Sequence, residues 1–553
     1  MGSAAFERLH PAVAHHVVNT LGWRALRPLQ EQAIAPLLDG RHALLGAPTA
    51  AGKTEAAVLP LLSRMVAERW DGLSLLYVCP LRALLNNLAP RIASYCELLG
   101  RRSAVWHGDV GDAERRRILR EPPDVLLTTP ESLEAMFLSR RVDARALLGG
   151  LRAAVVDEIH AFAGDDRGWH LLAVLARLDE LTGRELQRIG LTATVGNPVE
   201  LLDWLVCRGQ GEREVVMTTP GAQDGGPDLT IDYTGGVPNA ARVIAALHRG
   251  EKRLVFADSR ARVEEVAVAL RGEGVTTFVS HSSLSADERR QAERAFSEGR
   301  DCVIVSTSTL ELGIDVGDLD RVIQIGAPRT VASVLQRVGR TGRRPGTRRN
   351  CLFLATTESE LLQALALDRL IRAGWVEPLR PLAWPLHLGA QQLLARVLAA
   401  GRLGRSEWPG PFTRPAGAAG LDTDVLKRVI DHCVSREILG GDRRWLADRP
   451  GRGARVRTPT FHGGHLALPD GTAPGSPLGA ANDWASRPVV AVGPGRSAPD
   501  HPAWGKVLGG WRHRLERRIV WVEPVDEPGR SRWSGAGGAL SIEVCHAIRV
   551  GAG

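Results

Sequence analysis

The chain has 553 residues, 44% hydrophobic and 24% charged, with a formal net charge of +8 and a pI near 9.5. That length asks for roughly three to four domains, and the modest cationic excess suits an anionic polymer as partner without demanding one. Seven scattered cysteines contain no Cys-x-x-Cys pair, so neither a disulfide framework nor a zinc site is supported. No stretch of about 20 uncharged apolar residues exists to span a bilayer. Met1 to Pro11 carries Glu7, Arg8 and His10 in place of a signal-peptide core. A reduced cytoplasm is the default expectation, with no membrane partner.

In chain order, the first strong signal is Ala47-Pro48-Thr49-Ala50-Ala51-Gly52-Lys53-Thr54. Leu44-Leu45 ends an apolar run that predicts a buried strand, and a helical stretch runs from Glu55 to Ala67. Strand, loop and helix together make a phosphate-cradling loop, in which backbone N–H groups and the helix dipole face the phosphates of a nucleoside triphosphate. Lys53 supplies a point charge to the phosphates, and the Thr54 hydroxyl is placed to ligand Mg²⁺. Ala47 stands where the general pattern has glycine. Only four lysines (Lys53, Lys252, Lys427, Lys506) occur among 70 basic residues. A lysine at the phosphate position of so arginine-biased a chain points to its particular chemistry.

The run Leu151 to Val156 predicts another buried strand, ending in Asp157-Glu158-Ile159-His160. Carboxylates at the carboxyl end of a strand in an open α/β sheet face the ligand crevice. Asp157 is placed to hold Mg²⁺, and Glu158 to orient and deprotonate an attacking water. His160 is expected to couple this site to Thr192-Ala193-Thr194. Residues 41–205 and 250–375 each alternate apolar and helical stretches, which predicts two α/β units with parallel sheets. The Gly-, Pro- and Asp-rich stretch 209–236 between them reads as a linker. Strands are expected at Arg253–Ala257, Thr276–Ser280, Cys302–Ser306, Val322–Ile325 and Cys351–Ala355.

This ordered set resembles a superfamily 2 helicase of the DExH type across residues 20–345. The resemblance implies two tandem RecA-like lobes, 1–208 and 237–375, using ATP and Mg²⁺. Gln30 in Leu26-Arg27-Pro28-Leu29-Gln30 resembles the glutamine that reads adenine. Pro80-Leu81-Arg82-Ala83-Leu84 and Thr128-Thr129-Pro130-Glu131 resemble the first-lobe strand-gripping motifs. Leu254 to Ser259, Ser280 to Leu284, Ser306 to Asp315 and Gln336 to Arg343 follow in the family's order. By motif position, Arg82, Thr129, Ser259, Arg260, Thr307 and Thr309 are the expected phosphate-facing contacts to one strand. Gly313 and Asp315 fall to the nucleotide, with Asp315 on the ribose, alongside the loop residues Thr49, Ala50, Ala51 and Gly52. Gln336, Arg340 and Arg343 complete the site from the second lobe, the arginines as a finger pair at the γ-phosphate.

Asp165 to Leu171 resembles the Arg-Gly-x-x-Leu extension of the Lhr (large helicase-related) proteins. Pro385 to Leu394 and Asp422 to Leu439 resemble helices of their winged-helix domain, placing a winged-helix-like domain at 376–445. Arg517 to Pro524 and Ser541 to Arg549 resemble strands and the final helix of their β-barrel. Leu446 to Trp511 is crowded with Gly, Pro and Ala and offers few convincing strands. The region 446–553 is therefore expected to be an irregular, partial β-barrel-like domain, either through a loop-rich insertion or through degeneration. Trp375, Trp384 and Trp408 are open between stacking on bases and anchoring a core. The implied activity is ATP-driven 3′→5′ movement on single-stranded DNA with duplex unwinding. An RNA or RNA–DNA substrate stays open, as does a non-unwinding nucleic-acid clamp or remodeller in a repair or defence complex.

Overall fold

Apolar runs separated by helical stretches fold as parallel strands, because each parallel connection must cross a face of the sheet. In the computed structural model the first sheet contains β1 (His42–Gly46), β2 (Leu75–Val78), β3 (Ser103–Trp106), β4 (Val125–Thr128), β5 (Ala153–Val156), β6 (Gln187–Thr192) and β7 (Arg213–Met217). Their order is β3-β4-β2-β5-β6-β1-β7 and every pairing is parallel. The structure describes residues 3–48, 51–207, 209–218, 226–281, 283–311, 319–342, 347–380, 386–405, 423–436 and 438–441, with shorter stretches at 445–447, 460–462, 465–467, 507–514 and 519–525.

Strands β1, β2, β4, β5 and β6 are buried along their whole length, which is why their sequences read as unbroken apolar runs. Helices α1 (Pro28–Leu38), α2 (Lys53–Ala67), α3 (Arg82–Glu97), α4 (Pro130–Leu138) and α5 (Asp166–Thr182) clothe this sheet. Successive strand residues face opposite cores. Leu45, Tyr77 and Val155 pack with Leu61 and Leu62 of α2, while Leu44, Leu76 and Val156 pack with Phe162, Leu171 and Val174.

The second sheet holds β8 (Asp228–Tyr233), β9 (Lys252–Phe256), β10 (Thr277–Ser280), β11 (Cys302–Ser306), β12 (Arg321–Ile325) and β13 (Asn350–Ala355). It is again parallel, in the order β10-β11-β9-β12-β13-β8. Helix α6 (Arg260–Gly272) follows β9 and α7 (Val331–Val338) follows β12. The stretch 209–236, expected as linker, carries β7 and β8, each an edge strand of a different sheet. Edge strands expose one side and tolerate polar residues, as in Asp228-Leu229-Thr230-Ile231-Asp232-Tyr233, so the composition that suggested a linker suits them too.

Within the stretch expected as a winged-helix-like domain, α8 (Leu386–Ala400), β14 (Arg402–Gly404), α9 (Thr423–Ser435), β15 (Gly440–Gly441) and β16 (Trp445–Ala447) are described. The three strands form an antiparallel sheet in the order β14-β16-β15. Leu388, Leu393, Val397, Ile430, Cys433 and Leu446 of this unit share one core with Trp169, Leu172 and Ala173 of α5. Farther on, Thr460–His462 pairs with His465–Ala467, and Val507–Arg514 pairs with Ile519–Val525. Two of these four strands fall in Leu446–Trp511, where few were expected, and a third begins there. The pairing shifts register between Leu508 and Trp511, at Gly509-Gly510, and a glycine bulge of this kind erases the period-2 pattern from the sequence. The expected helix Ser541–Arg549 lies outside the described residues, as do Trp384 and Trp408. Among the described residues no helix is long and apolar enough to cross a membrane.

Gly168 has a packing role. A Cβ there would lie 2.4 Å from the Phe162 carbonyl oxygen and 2.7 Å from the Trp204 ring. The start of α5 therefore requires glycine to seat on the turn after the acidic box. Gly168→Ala should destabilise the first lobe by about 1–3 kcal/mol through overpacking, read as a lower midpoint in thermal unfolding. An unchanged midpoint would show that the helix can shift to make room.

Candidate active site

Because all strands of the first sheet run the same way, the segments leaving β4, β2, β5, β6 and β1 line one edge in that order. Along it stand Thr129, Arg82, Asp157 with Glu158, Thr192, and the phosphate-type loop. The nucleotide candidates gather at one end and the expected first-lobe strand contacts at the other.

The loop turns into α2 at Gly52, whose φ of 81° is the left-handed conformation that glycine adopts without cost. A Cβ at Gly52 would stand 2.3 Å from Gln30 Nε2, so close approach requires glycine there as well. Gln30 is buried at the start of α1, where its Oε1 accepts from the Arg27 amide at 3.0 Å and its Nε2 lies 3.5 Å from the Gly52 carbonyl. Lys53 Nζ donates to the Ala47 carbonyl at 2.9 Å, which holds the ammonium over the loop. Thr54 Oγ1 accepts from Arg91 Nη2 at 3.0 Å, and Arg91 also pairs with Glu55 at 3.2 Å.

Asp157 is buried at the end of β5. Tyr77, on neighbouring β2, donates to its Oδ2 at 2.9 Å, and the Glu158 amide donates to its Oδ1 at 2.9 Å. Burial, then the Glu158 charge beside it, push the Asp157 carboxyl up to about 7. A buried carboxylate next to another acid, with the Thr54 hydroxyl in the same sheet-edge site, is a donor set of hard oxygens that fits Mg²⁺. Glu158 has φ 49°, a left-handed conformation costing a β-carbon residue about 1–2 kcal/mol. Its carboxylate lies 3.4 Å from His160 Nε2.

His160 is the junction between the lobes. Its Nδ1 lies 3.2 Å from Thr192 Oγ1, and its Nε2 lies 2.7 Å from Gln336 Nε2 on α7 and 3.4 Å from Glu158 Oε2. Burial lowers the His160 pKa, so the ring is neutral at pH 7. In the neutral tautomer that fits, Nδ1–H donates to Thr192 and Nε2 accepts from the Gln336 amide. Thr194 is half-buried two residues beyond β6.

From the second lobe, Arg337 is buried between Glu311, reached by Nε at 2.5 Å, and Gln324, with Phe256 under its guanidinium at 4.9 Å. Arg340 is 4% exposed and donates to the Glu311 carbonyl, so in this conformation it is folded into its own lobe. Arg343, Gly313, Asp315, Thr49 and Ala50 lie outside the described residues. Of the strand candidates, Arg82 is exposed and pairs with Asp109 at 2.8 Å. Thr129 and Ser259 cap α4 and α6 by accepting from the Ser132 and Arg262 amides at 3.4 and 3.1 Å. Arg260 is exposed at the first turn of α6, and Thr307 is half-buried just after β11. Thr309 lies in the single turn Ser308–Leu310.

Three residues with contacts to this constellation escape a sequence reading. Tyr77 sits inside an apolar run and reads as core, and Arg91 is one arginine of many. Glu377 lies at a domain boundary, yet its carboxylate accepts from the Val331 and Ala332 amides at 2.7 and 3.2 Å, capping α7. Its carbonyl accepts from the Gly196 amide at 3.3 Å, and Leu379 exchanges two hydrogen bonds with Asn197 at 2.7 and 2.8 Å. The segment 376–380 thus joins the turn after Thr194 to the helix that carries Gln336.

Comparison with known proteins agrees with this geometry. Residues 27–202 match the DEAD/DEAH box helicase family and residues 238–345 the helicase conserved C-terminal domain. The chain belongs to the DEAD/DEAH-box helicases of superfamily 2. Among its relatives is the Lhr helicase/probable uracil glycosylase of Mycolicibacterium smegmatis, 32% identical over 74% of this chain and 31% of that protein. The ATP-dependent helicase Lhr-Core of Methanocaldococcus jannaschii is 30% identical over 68% of this chain and 47% of its own length. The chain therefore spans less than half of these relatives. The structure of Mycobacterium smegmatis helicase Lhr bound to ssDNA and AMP-PNP superposes with a TM-score of 0.69 at 31% identity, covering 81% of this chain and 61% of that one.

The depressed pKa of His160 fixes a pH dependence. Above the ordinary value of 6.5 the imidazole is neutral in both folded and unfolded chains. As the pH falls below 6.5, the unfolded chain takes up the proton first, so the stability due to this junction declines towards the lower folded-state pKa. Histidine NMR of the intact chain should place the His160 midpoint below 6.5. A midpoint above that value would contradict the neutral tautomer and assign the contact to a Glu158–His160 ion pair.

Proposed function

We propose that the chain is an ATP-dependent translocase that moves 3′→5′ along single-stranded DNA and separates duplex ahead of it. The observation that supports this reading best is one sheet edge bearing the loop of Lys53, the Asp157–Glu158 pair and Thr192, with Gln336 of the second lobe bonded to His160. The amides at the start of α2 and Lys53 bind the β- and γ-phosphates, and Gln30 recognises adenine. Thr54 and Asp157 would hold Mg²⁺, which would neutralise phosphate charge. Glu158 takes a proton from the attacking water, while Arg340 and Arg343 swing in from the second lobe to stabilise charge on the γ-phosphate. Closure on ATP and opening after hydrolysis move the second lobe relative to the first, with His160, Thr192 and Thr194 reporting the state of the phosphate site to Gln336.

Arg82, Thr129, Ser259, Arg260, Thr307 and Thr309 grip one strand by its backbone, which gives affinity without reading sequence and a steep dependence on salt. The preference for DNA is supported by likeness to the superposing Lhr structure, which was solved with single-stranded DNA and AMP-PNP, and the direction is what the Lhr resemblance implies. The strand displacement step falls to the unit containing α8 and α9, which shares a core with α5 beside the strand end of the first sheet.

Steady-state ATP turnover should rise with single-stranded DNA and fall by about 10²–10⁴-fold in Glu158→Gln. Lys53→Ala should lose nucleotide binding as well. A 3′-tailed duplex should be opened by the wild type and a 5′-tailed one left intact. Stimulation by RNA alone would replace the DNA assignment with an RNA helicase. Stimulated turnover without displacement of either duplex would replace unwinding with clamping or remodelling.

A further inference from the structure

The unit after the two lobes is tied to the first lobe by more than apolar packing. Helices α5 and α8 lie side by side, start to start. His387 Nε2 is 2.8 Å from Asp166 Oδ2 near their first turns, and Arg396 forks onto Glu180 at 2.9 and 3.2 Å near their ends. Between these rim contacts lies a buried charge. Glu134 of α4 is fully buried and accepts from Arg177 Nη1 at 2.6 Å, from His170 Nε2 at 3.3 Å and from Gln392 Nε2 of α8 at 2.8 Å. Burial alone would raise the Glu134 pKa, but Arg177, His170 and Gln392 reverse that and hold it at about 2. The carboxylate is therefore charged at all working pH, and each donor is needed to keep it satisfied.

Glu134 also sits one turn into the helix that Thr129 caps, and Thr129 is an expected strand contact. At that same end of α4, Glu131 pairs with Arg167 at 2.8 Å. Arg167 in turn donates to the Pro80 carbonyl at 2.8 Å, in the segment leading to Arg82. Both strand-facing segments of the first lobe thus hang on α5, and the α4–α5 pair is closed from outside by a side chain 258 residues away in the chain.

We propose that Gln392 and His387 of α8 are positioning residues for the strand site: through Glu134 and Asp166 they fix the first turn of α4 and the start of α5, so that the first lobe's grip on a single strand depends on the docked C-terminal unit. The bound polymer is the one argued above, and the inference rests on that reading for its activity readout alone. It assigns the C-terminal unit a part in holding the strand even where its own residues do not touch it. The loop at Lys53 and α2, which follow β1 at the other end of the strand order, take no part in these contacts.

The test uses the full chain with Gln392→Leu, which leaves Glu134 Oε2 only its longer contact with His170, and His387→Ala, a milder change at the rim. Two readouts are taken. Hydrogen exchange should quicken at residues 130–136 and 166–170 in both variants, more in Gln392→Leu, with residues 53–60 of α2 unchanged. The concentration of oligo(dT) that half-saturates ATP turnover should rise about fivefold in Gln392→Leu, with kcat and the KM for ATP within about twofold of wild type. Unchanged exchange at 130–136 in both variants overturns the proposal, and so does equal quickening throughout the first lobe, which would make the network a general support. Exchange confined to α4 and α5 without any rise in the half-saturating concentration also overturns it. Failure of the wild type to respond to oligo(dT) would instead remove the DNA assignment, while the exchange data still judge the docking.

Discussion

The structure turns on one buried imidazole. His160 receives contacts from Thr192 at the end of β6 and from Gln336 on α7, and Glu158 lies within 3.4 Å of the nitrogen facing Gln336. An imidazole has one donor and one acceptor when neutral, and here both are used, one towards each lobe. Burial keeps it neutral, since a charged ring would need a carboxylate partner and would then turn to Glu158 and release Gln336. The geometry makes the acidic box and the helix of the second lobe parts of one hydrogen-bonded unit.

That unit is braced from two sides. The segment 376–380 caps α7 with Glu377 and bonds to Gly196 and Asn197 beyond Thr194, so the turn after β6 and the helix carrying Gln336 share a strap. A Cβ on Gly196 would fall 2.3 Å from the Val376 carbonyl oxygen, so the strap can lie this close only against glycine. Beyond it, the C-terminal unit rests on α5 through an apolar core, and its Gln392 reaches the buried Glu134. A chain of this composition, with four lysines in 553 residues, draws most of the cations in its ion pairs from arginine. The planar guanidinium serves two or three acceptors at once, as Arg167 and Arg337 do.

Much of this was legible in the sequence because parallel strands covered on both faces leave continuous apolar runs, and the residues after them fall at one edge. The strands of the second lobe, the loop at Lys53 and the acid pair after β5 could be read in this way. Edge strands β7 and β8 were hidden, because one exposed side lets polar residues in and the stretch looked like linker. The glycines that bulge the strand Val507–Arg514 hid it for a related reason. Tyr77, Glu134 and Glu377 were invisible as functional candidates because what matters is the partner each one meets, and those partners lie 80, 258 and 46 positions away. Arg340 could be placed in its motif, but that it folds onto the Glu311 carbonyl is a property of the conformation.

The measurement that bears most directly on this account is ATP turnover as a function of single-stranded DNA concentration for the wild type and His160→Ala. If the imidazole carries the signal between the lobes, the variant should still bind ATP with wild-type affinity and retain its turnover in the absence of DNA, but lose the stimulation by DNA. Equal stimulation in the two proteins would show that the lobes communicate by another route and that the His160 junction is only part of the packing.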